Sequence, residues 1–315
     1  MNEKVARQIE EMKKQTIGVE VEMNNITREK AARIAAEHFG TRRHANTAAR
    51  NGYCTWSAWD SLDREWKFQK DSSISGPDAE KCELVTPILT YGDIETLQEL
   101  IRKLRKAGAK SDASRGCGVH IHIGAKGHTP QTLRNLVNIM ASHESLLKSA
   151  LALDDYRISR YCRTVDPHFL KQLNSKKPNG MAALADIWYK SHGTNYGRNA
   201  HYNDSRYHML NLHATFTKGT IEFRLFQFDE PTEERKGGLH AGQLKSYIQL
   251  CLALSQMAKD VRTASPKPQQ NENPKYAMRT WLLRLGFIGD EFKTARDLLT
   301  KRLDGDAAFR SGRAA

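Results

Sequence analysis

The chain has 315 residues, 39% of them hydrophobic, and a mean hydropathy of −0.65, which describes a globular protein with a polar surface and leaves no apolar run long enough to cross a membrane. Lysine and arginine number 49 against 36 acids, a formal charge of +13 that favours an acidic partner such as a nucleotide, nucleic acid or acidic protein, or else a solvated basic surface. Five cysteines without a CxxC pair argue against a disulfide framework or a structural zinc site, and with no secretory signal the expected location is cytoplasmic.

In chain order, residues 1–15 read as a charged, solvated helix. Thr16 to Asn24 reads as a strand, and Thr27 then caps a helix to about His38 that Gly40 stops. Residues 53–59 and 65–69 alternate aromatic and polar side chains around Asp60-Ser61-Leu62-Asp63, a hairpin pattern. Lys81 to Leu89 is a further strand. Ile94, Leu97, Ile101 and Leu104 recur at helical spacing up to Gly108. Gly118 to Gly124 reads as a strand, Thr132 to Leu153 as a long helix, and residues 155–190 as mostly helical with a break near 174–180. Ser191 to Arg206 holds almost no aliphatic residue and is long for a loop, which suggests a lid or a plain surface excursion. Residues 207–216 and 220–228 read as a hairpin turning at Lys218-Gly219. A helix over 238–261, a proline-rich linker over 265–274 and a closing helical segment over 276–303 complete the chain. Strands scattered among long helices predict an α+β fold on a mainly antiparallel sheet.

Three strands carry polar groups two residues apart, and in a strand residues i and i+2 share a face. Glu20 and Glu22 share one, His120 and His122 another, and Glu222 and Arg224 a third. Two carboxylates on one face repel, so a metal, an arginine partner or an edge facing water is needed. The histidines suit a metal or ordinary hydrogen bonding, and Gly116 and Gly118 before them let a ligand or backbone approach closely. Glu222 and Arg224 could form only an internal ion pair. Asp71, Ser73 and Glu83 add polar groups upstream. Cys117 reads better as a small buried thiol than as a nucleophile.

The ordered set Gly18-Val19-Glu20-Val21-Glu22, Glu83 in Cys82-Glu83-Leu84-Val85-Thr86-Pro87, Gly118-Val119-His120-Ile121-His122 and Glu222-Phe223-Arg224 resembles the carboxylate-amine ligases that share the glutamine synthetase and glutamate-cysteine ligase catalytic fold. It looks most like their amidoligase branch, which the Asp71-Ser72-Ser73 run also suits. The resemblance implies a curved, mainly antiparallel sheet forming a funnel-like active site flanked by long helices. The resemblance covers about Ile17 to Phe228, and with the proline-rich linker the expected organisation is a catalytic domain over 1–262, with 263–315 a linker and C-terminal helical segment packing on it. The resemblance further implies ATP and Mg²⁺ (or Mn²⁺) as cofactors, with one metal held by Glu20, His120 and Glu222 and another by Glu22 and Glu83. Arg224 would grip the γ-phosphate, His122 would sit beside the phosphates or the acyl group, and Glu222 would serve catalysis alongside them. The family's dedicated substrate pockets are not recognisable, which leaves the carboxylate and the amine open as small molecule, peptide or protein.

The residue types suit that chemistry. A carboxylate is a poor electrophile until ATP phosphorylates it, and that transfer needs hard cations and an arginine on the developing charge. The amine must lose a proton, with His201, His208 and His213 as candidate bases. Competing readings are a metal-dependent phosphoesterase or nuclease, which the charge of +13 would suit, and a binding protein on a degenerate ligase fold, against which the retention of all four motifs argues.

Overall fold

Apolar residues at every second position of 17–23 build the first strand, and the same alternation recurs down the chain. The computed structural model describes residues 3–50, 52–231, 233, 238–268 and 272–309. Among these the strands are β1 (Ile17–Met23), β2 (His44–Asn46), β3 (Trp56–Trp59), β4 (Glu65–Gln69), β5 (Cys82–Val85), β6 (Val119–Gly124), β7 (Leu210–Asn211) and β8 (Thr220–Phe226). The helices are α1 (Glu3–Lys13), α2 (Arg28–His38), α3 (Ile94–Lys106), α4 (Pro130–Leu151), α5 (Asp155–Arg160), α6 (Pro167–Lys176), α7 (Met181–Ser191), α8 (His213–Thr217), α9 (Ala241–Asp260), α10 (Pro274–Arg284) and α11 (Lys293–Thr300). The fold is α+β with an open antiparallel sheet. None of the described helices is long and apolar enough to cross a membrane. The chain divides into two units, one of Thr16–His122 and Phe226–Lys245, the other of Met1–Gln15, Ile123–Leu225 and Ser246–Ala315.

In the first, strand-rich unit the strand order is β2-β3-β4-β5-β1-β6. The pairs β2–β3, β3–β4, β4–β5 and β5–β1 are antiparallel. Register sorts the side chains into rows. Phe68 faces Leu84, which faces Val21, and all three are fully buried. Helix α2 packs against β3 and β4 with a face of small residues, Ala31, Ala32, Ala35 and Ala36, each fully buried. Thr27 caps α2 by accepting from the Lys30 amide at 3.2 Å. Phe39, just after α2, meets Trp66 with ring centroids 4.8 Å apart. The β3–β4 hairpin is closed by Asp60, whose carboxylate accepts from the Leu62 and Arg64 amides and the Trp66 indole, each at 3.0 Å.

The second unit is mostly helical. Its N-terminal helix α1 is amphipathic rather than solvated all round, since Ile9 and Met12 are buried. Gly286, at φ +90°, ends the turn after α10 and lets Ile9 approach to 3.1 Å of where a Cβ would stand. His143 on α4 stacks on Trp281 of α10 at 3.9 Å. The hairpin expected over 207–228 is shorter than the sequence implies. Leu210 and Asn211 pair with β8, opposite Phe223 and Glu222, and the Arg224 amide donates to the Met209 carbonyl oxygen at 2.9 Å. The Asn211 side chain accepts from the His213 amide at 2.8 Å and turns the chain into α8, a local bond that competes with the ladder. Residues 269–271 of the expected linker lie outside the described residues.

Glu144, in the middle of α4, shows what burial costs here. Its carboxylate accepts from the Val165 amide at 2.5 Å, and burial pushes its pKa up to about 7 although that bond and Lys148 pull it down. A group raised on folding contributes stability below its unfolded pKa, near 4.5, that is lost as pH rises through about 7. Glu144→Gln keeps an oxygen for Val165 and removes the charge. The variant should match the parent in acid and exceed it at about pH 8 by up to ~3 kcal/mol. Urea denaturation at both pH values checks this, and equal stability at the higher pH would refute it.

Candidate functional site

Adjacent to the apolar row lies a polar one. Gln69 on β4 faces Glu83 on β5, which faces Glu22 on β1. Glu22 and Glu83 are buried, and like charges directly opposite on neighbouring strands repel. The Gln69 side chain donates to Glu83 Oε2 at 2.8 Å. Glu22 is fixed by the Gly118 amide, which donates to its Oε2 at 2.6 Å. Burial first, and then the charges of Glu20, Glu22 and Asp71, hold the Glu83 carboxyl well above the usual glutamate range. Glu20 goes the other way. Burial raises it, but the His122 charge and hydrogen bonds from His120 and His122 outweigh that and leave it well below the usual range.

Strand β6 presents both histidines beside β1. His120 Nδ1 lies 2.9 Å from Glu20 Oε2, and His122 Nε2 lies 3.3 Å from Glu20 Oε1. Gly18, two residues before Glu20, leaves room for His122, whose Cβ would lie 3.4 Å from a Cβ placed there. Among the described residues of this unit, two sets of ligand atoms fall within 4.8 Å of one another: Glu20, Glu83 and His120, and Glu22, Asp71 and Glu83. Glu83 belongs to both.

Asp71 reaches this cluster from a turn, where its Oδ1 accepts from the Ser73 amide and hydroxyl, both at 2.7 Å. The turn is docked by Gly116, at φ +77°, where an added Cβ would meet the Ser73 carbonyl oxygen at 2.6 Å. The close approach read from the glycines before β6 is thus backbone on backbone at Gly116. Gly116→Ala should lower stability by more than about 1 kcal/mol, because both the left-handed backbone and the contact oppose a side chain. Chemical denaturation tests it, with unchanged stability as the refuting result.

The remaining predicted residues, Glu222 and Arg224, lie on β8 in the helical unit and are buried. Arg224 Nη1 donates to Glu222 Oε1 at 2.5 Å, and the Asn211 side chain donates to Glu222 Oε2 at 2.6 Å. The Arg224 guanidinium lies 5.8 Å from the Tyr207 ring centre. Of the three histidines considered as bases, two are buried. Burial and then the neighbouring His192 push His208 down to about 4, and its Nδ1 lies 3.0 Å from the Ser205 carbonyl oxygen. His213 has both ring nitrogens engaged, Nδ1 at 2.7 Å from the Tyr189 hydroxyl and Nε2 at 3.1 Å from the Ala200 carbonyl oxygen. His201 is exposed. Residues 191–206 are fastened to α7, where Arg198 Nη1 donates to Asp186 at 2.6 Å and the Trp188 indole donates to the Ser205 hydroxyl at 2.8 Å, and are braced internally by the buried Asn203, which donates to the Thr194 and Gly197 carbonyls at 3.3 and 3.2 Å.

Residues 13–255, from the end of α1 into α9, match the family described as "Putative amidoligase enzyme". The chain belongs to that amidoligase family. No curated protein matches it. Among solved structures, the crystal structure of a bifunctional glutathione synthetase from Pasteurella multocida is similar over 96% of this chain and 49% of that one, with 13% identity and a TM-score of 0.45. The amidoligase chain therefore spans about half the length of that protein.

Strand alternation and the four motifs do not single out Gln69, Asn211 or Tyr207 as neighbours of the candidate site residues, nor Asp71 as a candidate metal ligand. For Gln69 the signal is position: once β4 is paired with β5, it falls opposite Glu83. Asn211 falls opposite Glu222 in the same way. Asp71 sits two residues before Ser73 in a turn, so strand alternation says nothing of where its side chain goes.

Proposed function

We propose that this amidoligase is an ATP-dependent carbon–nitrogen ligase that joins a carboxylate to an amine through an acyl phosphate. The observation that carries the reading is the row of acids in the strand-rich unit, where Glu22, Asp71 and Glu83 bring ligand oxygens within 4.8 Å of one another and Glu83 resists ionisation. The donor set, carboxylates with the His120 imidazole, fits a hard divalent cation such as Mg²⁺ or Mn²⁺. Glu20, Glu83 and His120 would hold one ion, and Glu22, Asp71 and Glu83 another. Bound there, such ions supply the neutralising charge that a triphosphate needs. His122 is assigned to the phosphates or the acyl group, held in place by Glu20.

Arg224 is assigned to the γ-phosphate. Its guanidinium is permanently charged and planar, and Glu222, itself steadied by Asn211, fixes its direction. In the reaction a substrate carboxylate oxygen attacks the γ-phosphorus and ADP leaves. The amine nitrogen then attacks the acyl carbon, phosphate leaves with the bonding electrons, and the amine loses a proton. His208 and His213 are poorly suited to take that proton, being buried and held by hydrogen bonds.

The test is incubation with ATP and Mg²⁺, with and without a pooled set of carboxylates and amines, followed by ADP measurement and product mass. ADP release that rises with the pool, together with a product lighter by water than its two parts, is expected. No ADP under any mixture, or hydrolysis of nucleic acid instead, would overturn the reading in favour of a phosphoesterase or nuclease.

A further inference from the structure

Helices α6 and α7 of the helical unit, joined through residues 177–180, flank a cavity of about 540 Å³. That is the size of a small-molecule site. Lys176, Lys177, Lys190 and His168 line it. Among the described lining residues the one acid is Asp186, and Arg198 already donates to it at 2.6 Å. The three lysines are exposed, and with the acid of the cleft engaged by a fourth cation they leave a net positive lining that favours an anion. The floor is apolar and buried at Pro178 and Ile187, so a ligand with a hydrocarbon body and several negative groups is matched. Gly180 starts α7 without a side-chain cap, which leaves first-turn amides near Ala183 on the same wall.

We propose that this cavity binds a short acidic peptide carrying several carboxylates. A bulkier nucleic acid suits it less, because three exposed lysines at one open cleft over an apolar floor are few for an extended phosphate backbone. The cavity also connects with the Glu222–Arg224 pair inside the same unit. From Asp186 the bonds run to Arg198, from the Arg198 carbonyl to the Tyr189 hydroxyl at 3.2 Å, and on to His213 at 2.7 Å. The His213 amide then donates to Asn211, and Asn211 to Glu222, at 2.8 and 2.6 Å. That the peptide is the ligase's carboxylate substrate rests on the function proposed above; that the cavity binds it does not.

The test is calorimetry on the full chain without nucleotide, using the tripeptide Glu-Glu-Glu and the uncharged Gln-Gln-Gln as probes. Tri-glutamate should bind and tri-glutamine should not. The double substitution Lys176→Glu with Lys190→Glu should weaken tri-glutamate roughly tenfold or more. The milder pair Lys176→Gln with Lys190→Gln should fall between, which keeps the test alive if charge reversal impairs folding. Tri-glutamate affinity unchanged in the variants, equal binding of both tripeptides, or no binding at millimolar peptide would each overturn the proposal. Because nucleotide is absent, failure to release ADP in the assay above leaves this result standing by itself.

Discussion

Chelating divalent metal should weaken ATP binding by roughly a hundredfold or more, about 2.8 kcal/mol or beyond. The reason is the acid row of the strand-rich unit. Glu20, Glu22, Asp71 and Glu83 supply ligand oxygens within 4.8 Å of one another in overlapping sets. A triphosphate brought beside them without a cation meets like charge at short range, where each pair costs about 4 kcal/mol at the dielectric typical of such sites. The protein alone already answers that repulsion by raising the pKa of Glu83 well above the usual carboxylate range. This gives the prediction a second readout. With its folded pKa raised above the unfolded value near 4.5, Glu83 contributes stability that is present below that value and is lost as pH rises through its own pKa. A divalent cation should remove that loss and release a proton on binding. The rise in melting temperature caused by Mg²⁺ should therefore grow with pH, measured in Glu144→Gln so that the other raised carboxyl does not contribute. Calorimetry with ATP in excess EDTA checks the first part. Equal ATP affinity with and without Mg²⁺, or a melting temperature indifferent to Mg²⁺ at about pH 8, would remove the metal from the acid row.

The faces of β1 and β6 were legible because a strand's side chains alternate with period two. Spacing alone therefore put Glu20 with Glu22 and His120 with His122. Register was not legible. Nothing in Glu65–Gln69 or Cys82–Val85 says which residue faces which, and only the pairing of Gln69, Glu83 and Glu22 turns scattered acids into a row. Asp71 was hidden for another reason. It lies outside any strand and depends on a turn that docks through Gly116, a contact between residues far apart in sequence. At 207–217 the alternating pattern misleads, because the Asn211 side chain captures the His213 amide and starts a helix where the side-chain pattern favours a strand. At the N-terminus the many charges of residues 3–13 mask a narrow apolar stripe, Ile9 and Met12, that is buried. The α6–α7 cavity could not be foreseen at all, since its lysines come from two helix ends whose packing the local sequence does not encode.

Arg224→Lys should cut ATP turnover by roughly a hundredfold or more, the size of losing one oriented donor to a developing oxyanion. The melting temperature should change little. Arg224 is buried, its Nη1 bonded to Glu222 Oε1, and Glu222 is held on its other oxygen by Asn211. A lysine ammonium at the same place keeps a charge for Glu222, so no carboxylate is left buried and unpaired, which is where the large stability cost of breaking such a pair arises. What lysine cannot keep is the planar fork that offers further N–H groups while one is bonded to Glu222. If the role is phosphoryl transfer, the loss should fall on kcat with little change in KM for ATP, since the interaction strengthens only as charge develops on the transferring group. If the role is an internal ion pair, the reverse follows: a modest fall in melting temperature and turnover largely kept. Asn211→Ala serves as the comparison. It strips the second support from Glu222 without touching the guanidinium, and should lower turnover less than Arg224→Lys does. Steady-state kinetics and thermal melts on the two variants decide between the accounts, and full turnover in Arg224→Lys would withdraw Arg224 from the chemistry and leave it as the partner of Glu222.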